Sequence, residues 1–144
     1  MAIVDDLNQV LERWHLAQDE FVKGNPEPVK KMWSHGQDVS VANPYGPPVR
    51  GWDKVEAVVE HAASLRRDGE ATGFEVVAKY ATAELAYVVQ IEWAQSKVGE
   101  REEVTPYAVR ATMIFRPEEG GWKIVHRHAD PITTAQPAES VIQD

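Results

Sequence analysis

The sequence predicts a single α+β domain. Stretches of helical period occupy the first half of the chain, as far as Arg67. A meander of long alternating runs follows, with only turn residues or one charged loop between them. Helices gathered ahead of consecutive strands mean an antiparallel sheet, not the parallel sheet of alternating units. A chain of 144 residues supports one domain with a useful core.

Ile3 to Lys23 carries the first helix. Its apolar residues Ile3, Leu7, Val10, Leu11, Trp14, Ala17, Phe21 and Val22 recur at three- and four-residue steps. Gly24-Asn25-Pro26 ends it and starts a second, short helix, with Asn25 as N-cap and Pro26 at the first helical position. Val29, Met32 and Trp33 share a side of that helix, which stops near His35-Gly36. Asp38 to Asn43 alternates like a strand, and Pro44 to Pro48 forms a rigid loop. A third helix is predicted from Trp52 to Arg67. Asp53 and Glu56 suit its first turn, Arg66 and Arg67 its last, and Asp68-Gly69 ends it. Strands are predicted over Thr72–Ala81, Glu84–Lys97, Val104–Arg116 and Trp122–Asp130.

The last two strands read as a long hairpin around Pro117-Glu118-Glu119-Gly120-Gly121. With Phe115 opposite Trp122, alternation puts Tyr107, Val109, Ala111, Met113 and Phe115 on one face. Trp122, Ile124, His126, His128 and Asp130 join them there, while Arg110, Thr112, Arg116, Lys123 and Arg127 take the other face. The shared face is apolar until its far end, where Tyr107, His126, His128 and Asp130 make it polar.

Composition narrows the function classes. Apolar residues at 43% and charged residues at 26% are those of an ordinary globular protein. A net charge of −8 argues against nucleic acid, which needs a basic face. Without cysteine there is no disulfide or thiolate chemistry. No apolar run is of bilayer length, and the amino terminus lacks the pattern of a signal peptide, so no membrane partner and a cytoplasmic location are expected. Five tryptophans suit an apolar cavity as well as a core.

Three segments carry a family resemblance: Asp38 to Val55, the strand at Leu85-Ala86-Tyr87, and Phe115 to Asp130. They resemble the nuclear transport factor 2-like superfamily, and within it the SnoaL-like, ketosteroid-isomerase-like branch. The resemblance implies a cone-shaped barrel, a cystatin-like roll of three N-terminal helices on a strongly bent antiparallel sheet. It spans residues 1–130 and leaves 131–144 as a loose tail. The fold hosts isomerases, cyclases, dehydratases and non-catalytic modules, so it does not set the function.

The isomerase constellation does not carry over. Its base position holds Asn43, and an amide shuttles no proton at neutral pH. Its oxyanion-hole positions hold Ala17 and Ala111. The cyclases' late acidic residue matches Asp130 by position. His126 and His128 beside Asp130 suit acid–base work, with Tyr107 polarising an oxygen. The same three residues also read as a structural polar cluster at a strand end, or as a His-x-His-x-Asp metal site for which the sequence shows no further ligand. Glu92 reads as a solvated strand residue.

The resulting expectation is a homodimer that binds a hydrophobic, oxygen-bearing small molecule, with no cofactor and no metal. Trp14, Trp33, Asn43, Tyr45, Trp52, Tyr87, Trp93 and Met113 are the expected binding residues. The face carrying Arg110, Thr112 and Arg127 is expected to be solvated, or to pack on a second subunit with its arginines meeting acidic residues such as Glu75 or Glu92. A non-catalytic ligand-binding or assembly module is the competing class.

Overall fold

The computed structural model describes residues 2–143, with side chains described from residue 6. Ile3 of the expected apolar stripe, and the two terminal residues, therefore lie outside the described side chains. The elements in order are α1 (Ala2–Phe21), α2 (Glu27–Met32), β1 (Ser40–Ala42), β2 (Val49–Arg50), α3 (Trp52–Ser64), β3 (Arg66–Ala81), β4 (Ala86–Val98), β5 (Thr105–Glu118) and β6 (Gly121–Asp130). A short 3-10 turn, Ala138–Val141, follows in an exposed terminal segment. None of the described helices is long and apolar enough to cross a membrane.

The six strands form one sheet in the order β2-β1-β6-β5-β4-β3. All neighbours are antiparallel except β1 and β6, which run parallel. The expected purely antiparallel sheet is thus mixed. The first strand after α2 returns across the chain to pair with the last one. Bulges in β3 and β6 bend the sheet.

The core lies where α1, α2 and α3 cover the concave side. Leu7, Val10, Leu11, Trp14 and Ala17 form the buried stripe of α1, at the predicted helical steps. They meet Val29 and Trp33, Val55 and Val59, and the inward residues Val88, Met113, Phe115 and Ile124. Asn25 acts one residue earlier than a regular N-cap: its Oδ1 accepts from the Glu27 N–H at 3.2 Å, while Pro26 holds the cap position.

Two local readings change in the structure. The first concerns Arg66 to Gly69. α3 ends at Ser64, and Arg66 and Arg67 open β3 instead of closing the helix. Asp68 takes a left-handed backbone (φ 55°), and Gly69 passes so close to α1 that a Cβ there would sit 2.2 Å from the Val22 carbonyl oxygen. The Asp-Gly pair is a bulge that lets β3 slide under the end of α1. A helix stop and a strand bulge use the same residues, and only packing separates them.

The second concerns the hairpin. Glu118 pairs with Gly121 across a two-residue turn, in which Gly120 has φ 91°. Phe115 opposes Ile124, not Trp122, and the next pair is Ile114 with His126. Val125 is left over as a bulge. One extra residue reverses the facing of everything after it. Arg127 now pairs with Met113 and Ala129 with Ala111, on the concave side. His126, His128 and Asp130 pair with Ile114, Thr112 and Arg110, on the convex side. Phe115 is fully buried, while Trp122 is partly buried against the core.

Candidate functional site

The helices and the concave sheet face enclose a cavity of about 710 Å³. Its walls are mostly apolar, with Phe21, Val58, Val59, Ala62, Ala94 and Val109 among them. Glu12, Asp19 and Thr72 add polar atoms to the lining, and two buried polar groups interrupt the walls.

The first group is centred on Glu92. Alternation along β4 turns Ala86, Val88, Gln90, Glu92, Ala94 and Ser96 inward, all of them buried. Glu92 Oε2 accepts from Trp14 Nε1 (2.9 Å), Gln90 Nε2 (2.8 Å) and Arg127 Nη1 (3.1 Å). Oε1 accepts from Arg127 Nη2 (2.7 Å) and Gln18 Nε2 (3.2 Å). The Arg127 guanidinium lies 4.7 Å from the centre of the Trp14 ring. Burial pushes the Glu92 carboxyl up. The Arg127 charge, its paired hydrogen bonds and those of Gln90 and Trp14 outweigh that and hold it below the usual carboxylate value. Glu92 is therefore ionised with its lone pairs occupied. It is a fixed charge, not a free acid or base.

His15 stands beside this group. It is stacked on Phe74 with ring centres 3.2 Å apart. Burial lowers its pKa, while Gln90, Glu92 and Glu12 pull the other way without restoring it. The ring is thus neutral at pH 7, and its buried Nε2 has no hydrogen-bond partner among the described residues.

The second group is centred on Arg66, Tyr45 and Tyr107. Arg66 Nε donates to the Tyr107 hydroxyl at 3.0 Å, and Nη2 donates to the Tyr45 hydroxyl at 2.5 Å. Both tyrosine rings lie near the guanidinium, with ring centres 5.4 Å (Tyr45) and 5.0 Å (Tyr107) away. Asn43 lines the same region, and its Oδ1 accepts from the Tyr45 N–H at 3.0 Å, which shapes the loop.

The expected site residues divide between the two sides of the sheet. Trp14, Trp33, Asn43, Tyr45, Trp93 and Tyr107 border the cavity. Trp52 does not: it stacks on His35, ring centres 4.0 Å apart. Met113 is sealed in the core, and Tyr87 is exposed on the convex side. His126, His128 and Asp130 are also outside the cavity, because of the Val125 bulge. There His128 Nε2 contacts Asp130 Oδ2 at 2.9 Å, and Arg110 Nε donates to Asp130 Oδ1 at 2.7 Å. His126 Nδ1 meets Ser40 Oγ at 2.8 Å. The anticipated histidine–aspartate contact exists, but it faces away from the pocket. Across the hairpin Asp130 pairs with Arg110, so Tyr107 lies beyond the end of β6 and faces the cavity.

Glu92, Arg127, His15 and Arg66 are the pocket residues that sequence reasoning missed. Gln90 and Glu92 share the parity of Ala86, Val88 and Ala94, which is a readable signal of inward polar groups. Arg127 and Arg66 carried none, because a bulge and a helix end decide their facing. The Arg127–Glu92 contact expected between subunits is formed within the chain.

A bent sheet closed by helices over one apolar cavity defines a nuclear transport factor 2-like protein. Residues 7–133 match the family model of the SnoaL-like domain, and the chain belongs to that family. Solved structures agree. A nuclear transport factor 2-like superfamily protein from Salmonella enterica serovar Typhimurium superposes with TM-score 0.74 at 16% identity, covering 94% of each chain. A ketosteroid isomerase-like protein from Erwinia carotovora atroseptica gives 0.72 at 16% identity, over 90% of this chain and 96% of that one. A protein of this type with a cystatin-like fold from Novosphingobium aromaticivorans gives 0.64 at 12% identity, over 99% and 90%. At such identities the likeness carries the fold. No curated protein matches the chain in sequence.

The buried pair generates a stability prediction. Arg127→Leu leaves Glu92 charged and alone, and should destabilise the fold by about 3–5 kcal/mol. The double variant Glu92→Leu, Arg127→Leu should recover most of that loss, as read by denaturant midpoints. The Glu92 pKa is depressed in the fold, so its stabilising contribution is full above the unfolded value of 4.5 and is lost as pH falls through the folded value. The parent should therefore lose stability in that acid window relative to the double variant. A parallel pH response of the two would contradict the ion pair.

Proposed function

We propose that this SnoaL-like domain binds a hydrophobic, oxygen-bearing small molecule in the cavity between Trp14 and Tyr107. The observation that carries the reading is the cavity itself: its volume and apolar walls with a few convergent polar groups are those of a small-molecule site. A neutral naphthylamine dye tests it. The dye should bind the parent and change Trp14 emission, and Ala94→Phe, which fills the cavity from a buried lining position, should weaken binding at least tenfold. Equal binding by parent and variant, or none by the parent, defeats the reading.

Chemistry in this pocket is acid–base and belongs to His15, with Tyr107 as a hydrogen-bond donor to a substrate oxygen. His15 is neutral, which a base requires, and its Nε2 is committed to no other side chain among the described residues. Glu92, with its oxygens occupied, holds the pocket's field. For a substrate turned over here, His15→Gln should lower kcat about a hundredfold or more. The parent rate should fall as pH drops through a pKa below 6.5. A flat acid limb would assign the pocket to binding alone.

The convex side of the sheet supports a second copy of the chain as partner. Cross-strand rows bring Tyr80, Tyr87 and Ile114 together, and beside them Glu75, Ile91 and Arg110. Tyr80 and Tyr87 are exposed at 62% and 39%, an apolar patch of the kind that association covers. Light scattering at micromolar concentration should show a dimer, and Ile114→Asp should shift it to monomer. A monomeric parent rules this out.

A further inference from the structure

The two polar groups of the cavity differ in one respect: the charge at Glu92 is balanced and the charge at Arg66 is not. Arg66 is 7% exposed. Among the described residues, no carboxylate lies within ion-pair distance of it. Arg13, Arg50 and Arg101 also lack such a partner, but they are exposed and water serves them. Arg67, Arg110, Arg116 and Arg127 each have a carboxylate. A buried, unbalanced cation is costly in a chain with 23 acidic side chains to draw on.

The groups it bonds have protons left to give. The Tyr45 and Tyr107 hydroxyls use their oxygens to accept from Arg66, so each keeps its own proton to give. Ser96 Oγ, 3.5 Å from the Tyr107 oxygen, is itself placed as a donor and is too distant to matter much. Among the described residues neither tyrosine donates a hydrogen bond, and Arg66 Nη1 is buried with no partner. One arginine nitrogen and two hydroxyl protons of this cluster thus have no acceptor among the described residues.

We propose that this cluster binds the carboxylate of the ligand, so that the pocket takes an apolar carboxylic acid with its anionic end at Arg66. This rests on the reading of the cavity as a small-molecule site and narrows it to a ligand class. A carboxylate supplies one negative charge and acceptor lone pairs for the arginine and both hydroxyls, in the planar geometry that guanidinium matches. The apolar walls favour a hydrocarbon body over a doubly charged phosphate ester, whose desolvation costs more. Ser96 is four residues along β4 from Glu92, about 13 Å at the usual strand rise. The ligand body therefore runs from the Arg66 end toward the Glu92–Arg127 pair and His15. Tyr45, on the Pro44–Pro48 loop and 44% exposed, closes over the anionic end.

The test compares decanoate with decanol and decyl phosphate by displacement of the neutral dye. The parent should bind decanoate at least tenfold more tightly than decanol. Arg66→Met should abolish that preference while still binding the neutral dye, and Tyr45→Phe with Tyr107→Phe should reduce it severalfold. Arg66→Met should not lower the melting temperature of the free protein, because it removes an unbalanced charge, and decanoate should raise the melting temperature of the parent only. If the dye binds and decanoate shows no advantage over decanol, or the advantage survives Arg66→Met, the carboxylate assignment is wrong and the small-molecule reading stands. Tighter binding of decyl phosphate than of decanoate overturns the choice of carboxylate. If neither dye nor decanoate binds the parent, both readings fail.

Discussion

The Glu92–Arg127 ion pair is the constraint around which the concave side is built. A carboxylate with 8% exposure is tolerated only if its charge is met and its lone pairs are filled. Meeting the charge requires Arg127 to face inward, and that requires the Val125 bulge. Filling the lone pairs requires Trp14 and Gln18 from α1 and Gln90 from β4. One pair thus ties α1, β4 and β6 together. It also explains why a helix that packs mainly through Leu7, Val10 and Leu11 presents an indole N–H at the floor of a cavity.

The sheet consequently mixes polarity on both sides. Its concave side carries Gln90, Glu92, Ser96 and Arg127 amid apolar residues, while its convex side carries Tyr80, Tyr87, Ile91 and Ile114 among charged ones. Hydrophobic burial alone would favour turning the second set inward. The arrangement makes sense if both sides meet something: a ligand inside and a partner outside. The Arg110–Asp130–His128 cluster lies on that convex side, away from the cavity.

Within the cavity, electrostatic balance is uneven along one strand. At Glu92 five donors converge on one carboxylate, whereas at Arg66 three groups offer protons and nothing receives them. A protein that needed both only for folding would satisfy both, since an unsatisfied buried polar group costs stability without return. Pre-arranged donors held by their own packing are what recognition of an anion requires, because no reorganisation is then needed on binding. His15, neutral and unpartnered at its Nε2, occupies the stretch where a ligand body would approach the balanced pair.

The order of helices and strands, the α1 stripe, the long hairpin and the family were legible in the sequence, because each depends on local period and turn residues. Asn43, Tyr45, Trp14, Trp33 and Tyr107 were legible as cavity-lining residues for the same reason: their elements follow from local period and fixed turns. The facing of Arg127 and of His126, His128 and Asp130 was not, because one unpaired residue at Val125 reverses parity, and a bulge leaves no mark in composition or period. Arg66 was hidden similarly. Asp68-Gly69 serves equally as a helix stop or a strand bulge, and the close passage of Gly69 beneath Val22 decides between them. Local periodicity, which acts over a few residues, determined the elements; only packing between distant segments decided which charged side chains they carry inward.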